Sequence, residues 1–254
     1  MRLPRASTEL SHMKAYRSIF YSKYQSQFKR RAREHFDYSF TDQKLIPLIE
    51  PWLSQSDRAG ACLDLGCGDG SLLHALHSLG FEKLYGVDAS GEQIELAKQV
   101  TPQVSVGDLF EYLAGFEDEF FEVVTLFDVI EHLTKEEIVR CVGLIRQKLR
   151  KGGLWICHLP NGDSPFVGCI QFGDFTHETM LSPASARNLC GVFGFDEFDA
   201  SEHLGCSAGA AGMVRSVGWR GLRLLPLVWN LIETGSAGTG ILTRNFAFKA
   251  RKPA

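Results

Sequence analysis

No apolar run in the 254-residue sequence approaches the ~20 residues that span a bilayer, so no membrane-crossing helix is expected. Internal repeats and low-complexity tracts are absent, which removes solenoids and disordered linkers. Neither sign of charge dominates: 27 Lys and Arg against 30 Asp and Glu give a net −3, and no global attraction to nucleic acid follows. The seven cysteines are odd in number and scattered, and no pair has zinc-ligand spacing. A disulfide frame and a metal are therefore not expected. Cys62, Cys67, Cys141, Cys157 and Cys190 read as reduced thiols, mostly in the core of a cytoplasmic protein. The first residues have no apolar centre of signal-peptide type. What is present, 44% hydrophobic and 22% charged residues, suits one large α/β core.

The chain is organised around Cys62-Leu63-Asp64-Leu65-Gly66-Cys67-Gly68-Asp69-Gly70-Ser71. Apolar residues lead into an acid, then glycines at alternate positions, then a helical pattern (Leu72, Leu73, Leu76). This predicts a buried strand at about 61–65, a tight turn and a helix at about 70–79. An open α/β sheet exposes backbone N–H groups to a ligand at such a turn. The spacing is G-x-G-x-G, unlike the dinucleotide fingerprint G-x-G-x-x-G. Asp64 at the strand end would repel a pyrophosphate and suits a ligand carrying an ammonium and a sulfonium.

Further acids close later strands. Leu84–Val87 ends in Asp88, placed to accept ribose hydroxyls, and Ser90-Gly91-Glu92-Gln93 reads as a capping box. Val104–Gly107 ends in Asp108, which alone would be an ordinary helix N-cap. Phe121–Phe127 is followed by Asp128-Val129-Ile130-Glu131-His132-Leu133. Thr134-Lys135-Glu136-Glu137 is a second capping box, opening a helix expected to stop at Gly152-Gly153 before a fifth strand, Leu154–Leu159.

The glycine loop and the D-V-I-E-H-L run resemble the first and fourth motifs of class I S-adenosylmethionine-dependent methyltransferases, over roughly residues 60–200. The resemblance implies a seven-stranded, mostly parallel, Rossmann-like α/β sheet whose last strand is antiparallel. It also implies S-adenosylmethionine as cofactor, held by Asp64, Gly66, Cys67, Gly68, Gly70, Asp88, Ala89, Gln93, Asp108, Leu109, Phe127 and Asp128. In that scheme Asp108 takes the adenine amino group beside an apolar neighbour.

Residues 1–40 carry nine Lys and Arg, three Asp and Glu and eight aromatics, with Tyr16, Phe20, Tyr24 and Phe28 on one helical face. Arg and Ser content would suit a mitochondrial presequence, but the aromatics argue against one. Residues 1–55 read as a helical extension to the domain at 56–254, packed on the core or capping the site. Leu45–Leu53 forms a short helix ended or bent by Pro51.

Residues 160–182 form a long aperiodic segment at the carboxyl end of the sheet, expected to meet a small-molecule acceptor. His177, oriented by Asp174 and Glu178, is the first candidate general base, and His132 the second. The P-N-x-x-S-P-F, G-D-F-T-H-E and S-P sequences here resemble methyltransferases of bacterial cell-surface sugar pathways, favouring a sugar hydroxyl. Quinone-precursor O-methylation is the leading alternative. An NAD-dependent oxidoreductase and a non-catalytic S-adenosylmethionine-binding module are competing classes.

After Ser182-Pro183 opens a helix ending at Gly194, Glu197–Glu202 reads as the sixth strand and the run around Phe246 and Phe248 as the last. Between them, in an insertion at 207–235, residues 213–233 are expected to form a helical pair broken near Pro226. Packing on the core or on a second subunit of a homodimer is the favoured reading. Peripheral contact with anionic lipid through Arg215, Arg220 and Arg223 is the other.

Overall fold

The computed structural model describes residues 15–21, 38–204 and 210–254; Tyr24 and Phe28 of the aromatic stripe lie outside them. The helix α1 (Ala15–Tyr21) and α2 (Ser39–Ile49) precede a short 3-10 turn, Glu50–Trp52. Alternation then builds β1 (Ala61–Leu65), α3 (Ser71–Ser78), β2 (Lys83–Asp88), α4 (Gly91–Ala97), β3 (Val104–Val106), α5 (Leu109–Ala114) and β4 (Phe121–Phe127). There follow α6 (Lys135–Lys148), β5 (Leu149–Pro160), α7 (Gly168–Gln171), α8 (Pro183–Val192), β6 (Asp196–Glu202), α9 (Ala210–Leu222), α10 (Leu224–Thr234) and β7 (Asn245–Arg251).

The seven strands run in the order β3-β2-β1-β4-β5-β7-β6, and β7 is antiparallel to both neighbours. Both faces are covered, as a parallel sheet requires. One face packs Leu63, Leu65, Val124 and Phe246 against α5, α6 and α8. On the other, Cys62, Val123 and Ala247 lie in a cluster with Ile49 and Leu53, α3 and α4. Phe246 and Phe248 of β7 thus face one layer and Ala247 the other, the period-two alternation of a strand. Each fully buried leucine contributes about 1.5–3 kcal/mol.

The Thr134 capping box forms: its hydroxyl accepts from Glu137 N–H, and the Glu137 carboxylate accepts from Thr134 N–H at 2.7 Å. The far end of α6 differs from expectation. The helix stops at Lys148, and Leu149 already pairs with Phe121 in the sheet. Gly152, at φ +72°, serves an irregularity after which Leu154 pairs with Val123. The glycines bend a strand; they do not end a helix.

The capping box at Ser90 does not form, since no side-chain bond caps α4. Ser90 N–H is instead taken by Asp88 Oδ1 at 2.8 Å, a turn closed two residues on.

The expectation that 213–233 pack on the core is overturned. Met213, Leu225, Trp229 and Ile232 are about 70–80% exposed (71%, 71%, 70% and 81%). The break falls at Arg223, and Pro226 sits in the first turn of α10, where its missing N–H is not needed. Among the described residues no helix is long and apolar enough to cross a membrane.

Candidate functional site

Strand order reverses between β1 and β4, and a crevice opens there at the carboxyl ends of the strands, the position α/β sheets use for ligands. The cavity, about 310 Å³, is walled by Gly66 and Gly68 of the first turn and by Asp88, Ala89, Ser90 and Gln93 beyond β2. Gly107, Asp108, Leu109 and Phe110 form the β3 side. Phe127, Asp128, Val129, His132 and Leu133 form the β4 side, with Arg17, Tyr21 and Glu137 across the mouth.

Glycine is required at the first turn for two different reasons. Gly66 has φ +75°, and a Cβ there would stand 2.3 Å from Val129 Cγ2. Gly68 has φ +52°, with only Gln93, at 3.9 Å, near such a Cβ. Its N–H donates to Asp88 Oδ2 at 3.0 Å. Asp88 therefore ties the glycine turn to the start of α4 while facing the cavity. Asp108 is the helix cap expected of it, accepting from Phe110 N–H (2.8 Å) and Glu111 N–H (3.1 Å), and it also lines the cavity.

Three expected residues stand off the wall. Asp64 is 2% exposed and accepts from Thr125 Oγ1 at 2.7 Å. Burial pushes its carboxyl up to about 7 against that hydrogen bond, and Asp88 and Asp69 raise it further. Cys67 is buried against Gly86 of β2, and Gly70 at φ +83° permits close approach to Ala97 of α4.

Beyond β4 the chain forms a 3-10 turn, Ile130–His132, which places His132 in the cavity wall. Its Nδ1 lies 2.9 Å from Thr176 Oγ1, and Thr176 Oγ1 lies 2.6 Å from Asp174 Oδ1. The carboxylate only accepts, so Thr176 spends its single proton on Asp174 and must accept from His132 Nδ1–H. That assignment leaves Nε2 as the lone-pair nitrogen. Burial first, and His177 second, lower His132 to about 4.

The expected orientation of His177 by Asp174 and Glu178 is not what forms. Asp174 holds Thr176, and Glu178 accepts from Tyr16 and faces Arg17 at 3.7 Å. His177 packs edge-on to His132, with its Nδ1 buried and unpartnered. Glu131, His132 and His177 each offer one ligand atom within 4.8 Å of the others, and Glu131 Oε2 is buried without a partner. This donor set could hold a metal ion, which the cysteine spacing does not lead one to expect.

A second histidine chain lay outside the sequence reading. Asp128, in the left-handed region at φ +53°, is 2.7 Å from His158 Nδ1, and His158 Nε2 is 2.7 Å from His203 Nδ1. Desolvation by the surrounding wall opposes ionisation of Asp128, whose side chain is 62% exposed, but the charge and hydrogen bond of His158, with His132 and His203, outweigh it and hold the carboxyl below its usual range. Burial lowers His203 to about 4.

The described part of the N-terminal extension caps the mouth. Arg17, 3% exposed, makes a two-pronged contact to Glu137 at 3.1 Å on each oxygen. Phe20 stacks on Phe175 at 5.6 Å, and Tyr21 meets His132 edge-on at 6.0 Å.

Residues 63–157 match the family model described as "Methyltransferase domain", and they carry the glycine turn, Asp88, Asp108 and the D-V-I-E-H-L run. Over these residues the chain carries a methyltransferase domain. A S-adenosylmethionine-dependent methyltransferase from Archaeoglobus fulgidus has the same fold, with a TM-score of 0.66, 18% identity, and coverage of 92% of this chain and 100% of that one.

The chain is 26% identical over 157 residues to a ubiquinone biosynthesis O-methyltransferase of Neisseria meningitidis serogroup C, covering 56% of this chain and 66% of the relative. It is 34% identical over 110 residues to the mitochondrial ubiquinone biosynthesis O-methyltransferase of Candida albicans, covering 40% and 32%. These matches span less than two thirds of either relative.

S-adenosylmethionine is the cofactor of this methyltransferase family, and the cavity fits it on one observation of its own. Ser90 Oγ, in the wall and 2% exposed, has no hydrogen-bond partner among the described residues. A buried hydroxyl without a partner is costly unless a ligand satisfies it. The sequence reading had assigned that hydroxyl to a helix cap.

Proposed function

We propose that the methyltransferase transfers a methyl group from S-adenosylmethionine to a hydroxyl of a small aromatic acceptor of the quinone-precursor kind. The observation that carries this reading is His132, with Nε2 left as its lone-pair nitrogen, in the wall of the cavity that holds Asp88 and Asp108. The cofactor supplies an electrophilic methyl on a sulfonium. Asp88 and Ser90 bind the sugar hydroxyls, and Asp108 with Leu109 takes the base. A cationic ligand beside Asp64 would draw its carboxyl back to the ionised form. His132 accepts the acceptor's proton at Nε2 as the new C–O bond forms. Tyr21, in the cavity wall and edge-on to His132, suits a planar ring.

The names of both relatives move the favoured acceptor from a sugar to a quinone precursor. The test offers labelled S-adenosylmethionine with a phenolic quinone precursor or a nucleotide-activated sugar. Methylation of the phenol alone is expected. Methylation of the sugar alone would overturn the acceptor class, and tight cofactor binding with no turnover on a wide panel would favour a binding module.

A second reading rests on the Glu131, His132 and His177 donor set. There a divalent cation polarises the acceptor oxygen. Activity would then fall on chelation and return with added magnesium or zinc.

A further inference from the structure

The helical pair α9–α10 is amphipathic the wrong way round. At about 100° per residue, Met213 and Val217 share one arc of α9, and Leu225, Val228, Trp229 and Ile232 share one arc of α10. All six are more than half exposed. The opposite arc of α9 holds groups that meet the protein: Gly212 is buried, and Trp219 Nε1–H donates to Glu202 Oε2 at 3.2 Å. On α10 no residue is fully buried, and the side away from the apolar arc carries Pro226, Leu227, Asn230 and Thr234. An ordinary surface helix turns its apolar arc inward; this pair turns it out.

We infer that this face seats the protein on an anionic lipid bilayer surface, the helices lying in the plane of the interface. The inference does not depend on which acceptor is methylated. Three features select this occupant. Residues 210–234 contain three arginines and one glutamate in a chain of net charge −3; Arg223 is paired with Glu202 at 3.1 Å, and Arg215 and Arg220 still outnumber Glu233, so the local charge complements anionic headgroups. A second copy seated on the same face would bring arginines against arginines. Trp229, 70% exposed, suits the boundary between headgroups and acyl chains.

The pair lies between the end of β6 and the start of β7, whose Asn245 pairs with Pro160 at the end of β5. It therefore springs from the carboxyl end of the sheet, the cavity's side. Phe166 and Phe172, 67% and 86% exposed, lie on the loop leaving β5 at the same edge. A protein seated this way would present its cavity side to the membrane. Neither helix is long enough to span one, which leaves the interfacial position.

The test is sedimentation of the full chain with vesicles of equal phosphatidylglycerol and phosphatidylcholine, at low and at high salt. The protein is expected in the pellet at low salt and in the supernatant at high salt. Replacing Arg215 and Arg220 by alanine should weaken partitioning about fivefold each. Trp229→Ser with Ile232→Ser should release the protein, with its melting temperature and S-adenosylhomocysteine affinity kept. Protein that stays in the supernatant at low salt overturns the inference, as do serine variants that still pellet. A wild-type dimer that dissociates in the serine variant overturns it too, because a second copy would then be the occupant.

Discussion

Gly68→Val is expected to raise the dissociation constant for S-adenosylhomocysteine at least about 100-fold while leaving the fold intact. Two costs add. A β-branched residue at φ +52° is held in the left-handed region at about 1–2 kcal/mol, and its methyls enter the space the ligand needs. The fold should survive because the nearest atom to a Cβ at this position is Gln93 Oε1, 3.9 Å away. Gly66 is a poorer probe. A Cβ there meets Val129 at 2.3 Å, so that variant would move the β4 loop as well. Calorimetry alongside thermal melting checks the expectation, and near wild-type affinity in a folded Gly68→Val protein would contradict it.

His132→Asn is expected to lower turnover about 10²–10⁴-fold, with cofactor affinity and melting temperature nearly unchanged. The argument is geometric. The chain Asp174–Thr176–His132, at 2.6 and 2.9 Å, fixes the proton on Nδ1 and the lone pair on Nε2, and His132 is the histidine in the cavity wall. His177 has no carboxylate orienting it, so His177→Asn should have the smaller effect. Thr176→Val should fall between the two, because it frees the ring without removing the base. A collapse in His177→Asn alone would reverse the assignment. Equal collapse in both, restored by a divalent cation, would favour the metal reading.

What the sequence made legible is local. Unbroken apolar runs mark β1 and β4, which are buried along nearly their whole length, and a capping pattern marks the start of α6. The acids ending β2 and β3 could be placed because the strand-turn-helix order fixes where a strand end lies. The misses are of another kind. The partner of Asp174 could have been His177 or Thr176 at nearly equal sequence distance, and only the folded loop decides. His132 and Thr176 are 44 residues apart, and His158 and His203 are 45 apart; no periodicity encodes such contacts. The apolar residues of 213–233 suggest a helical pair, but the sequence cannot say whether they face protein or solvent. Ser90 was read as a cap because its pattern fits one. Asp88, two residues earlier, takes the Ser90 N–H that the Gln93 side chain accepts in such a box, and the Ser90 hydroxyl faces the cavity wall without a partner among the described residues.

The central claim is that this crevice takes S-adenosylmethionine and not a dinucleotide, although the sheet alone would serve either. Titrating the wild-type chain with S-adenosylhomocysteine and, separately, with NAD⁺ in a calorimeter tests it most directly. One-to-one binding of S-adenosylhomocysteine at micromolar affinity, with no heat from NAD⁺, is the predicted result. Saturable binding of NAD⁺ with none of S-adenosylhomocysteine would contradict it.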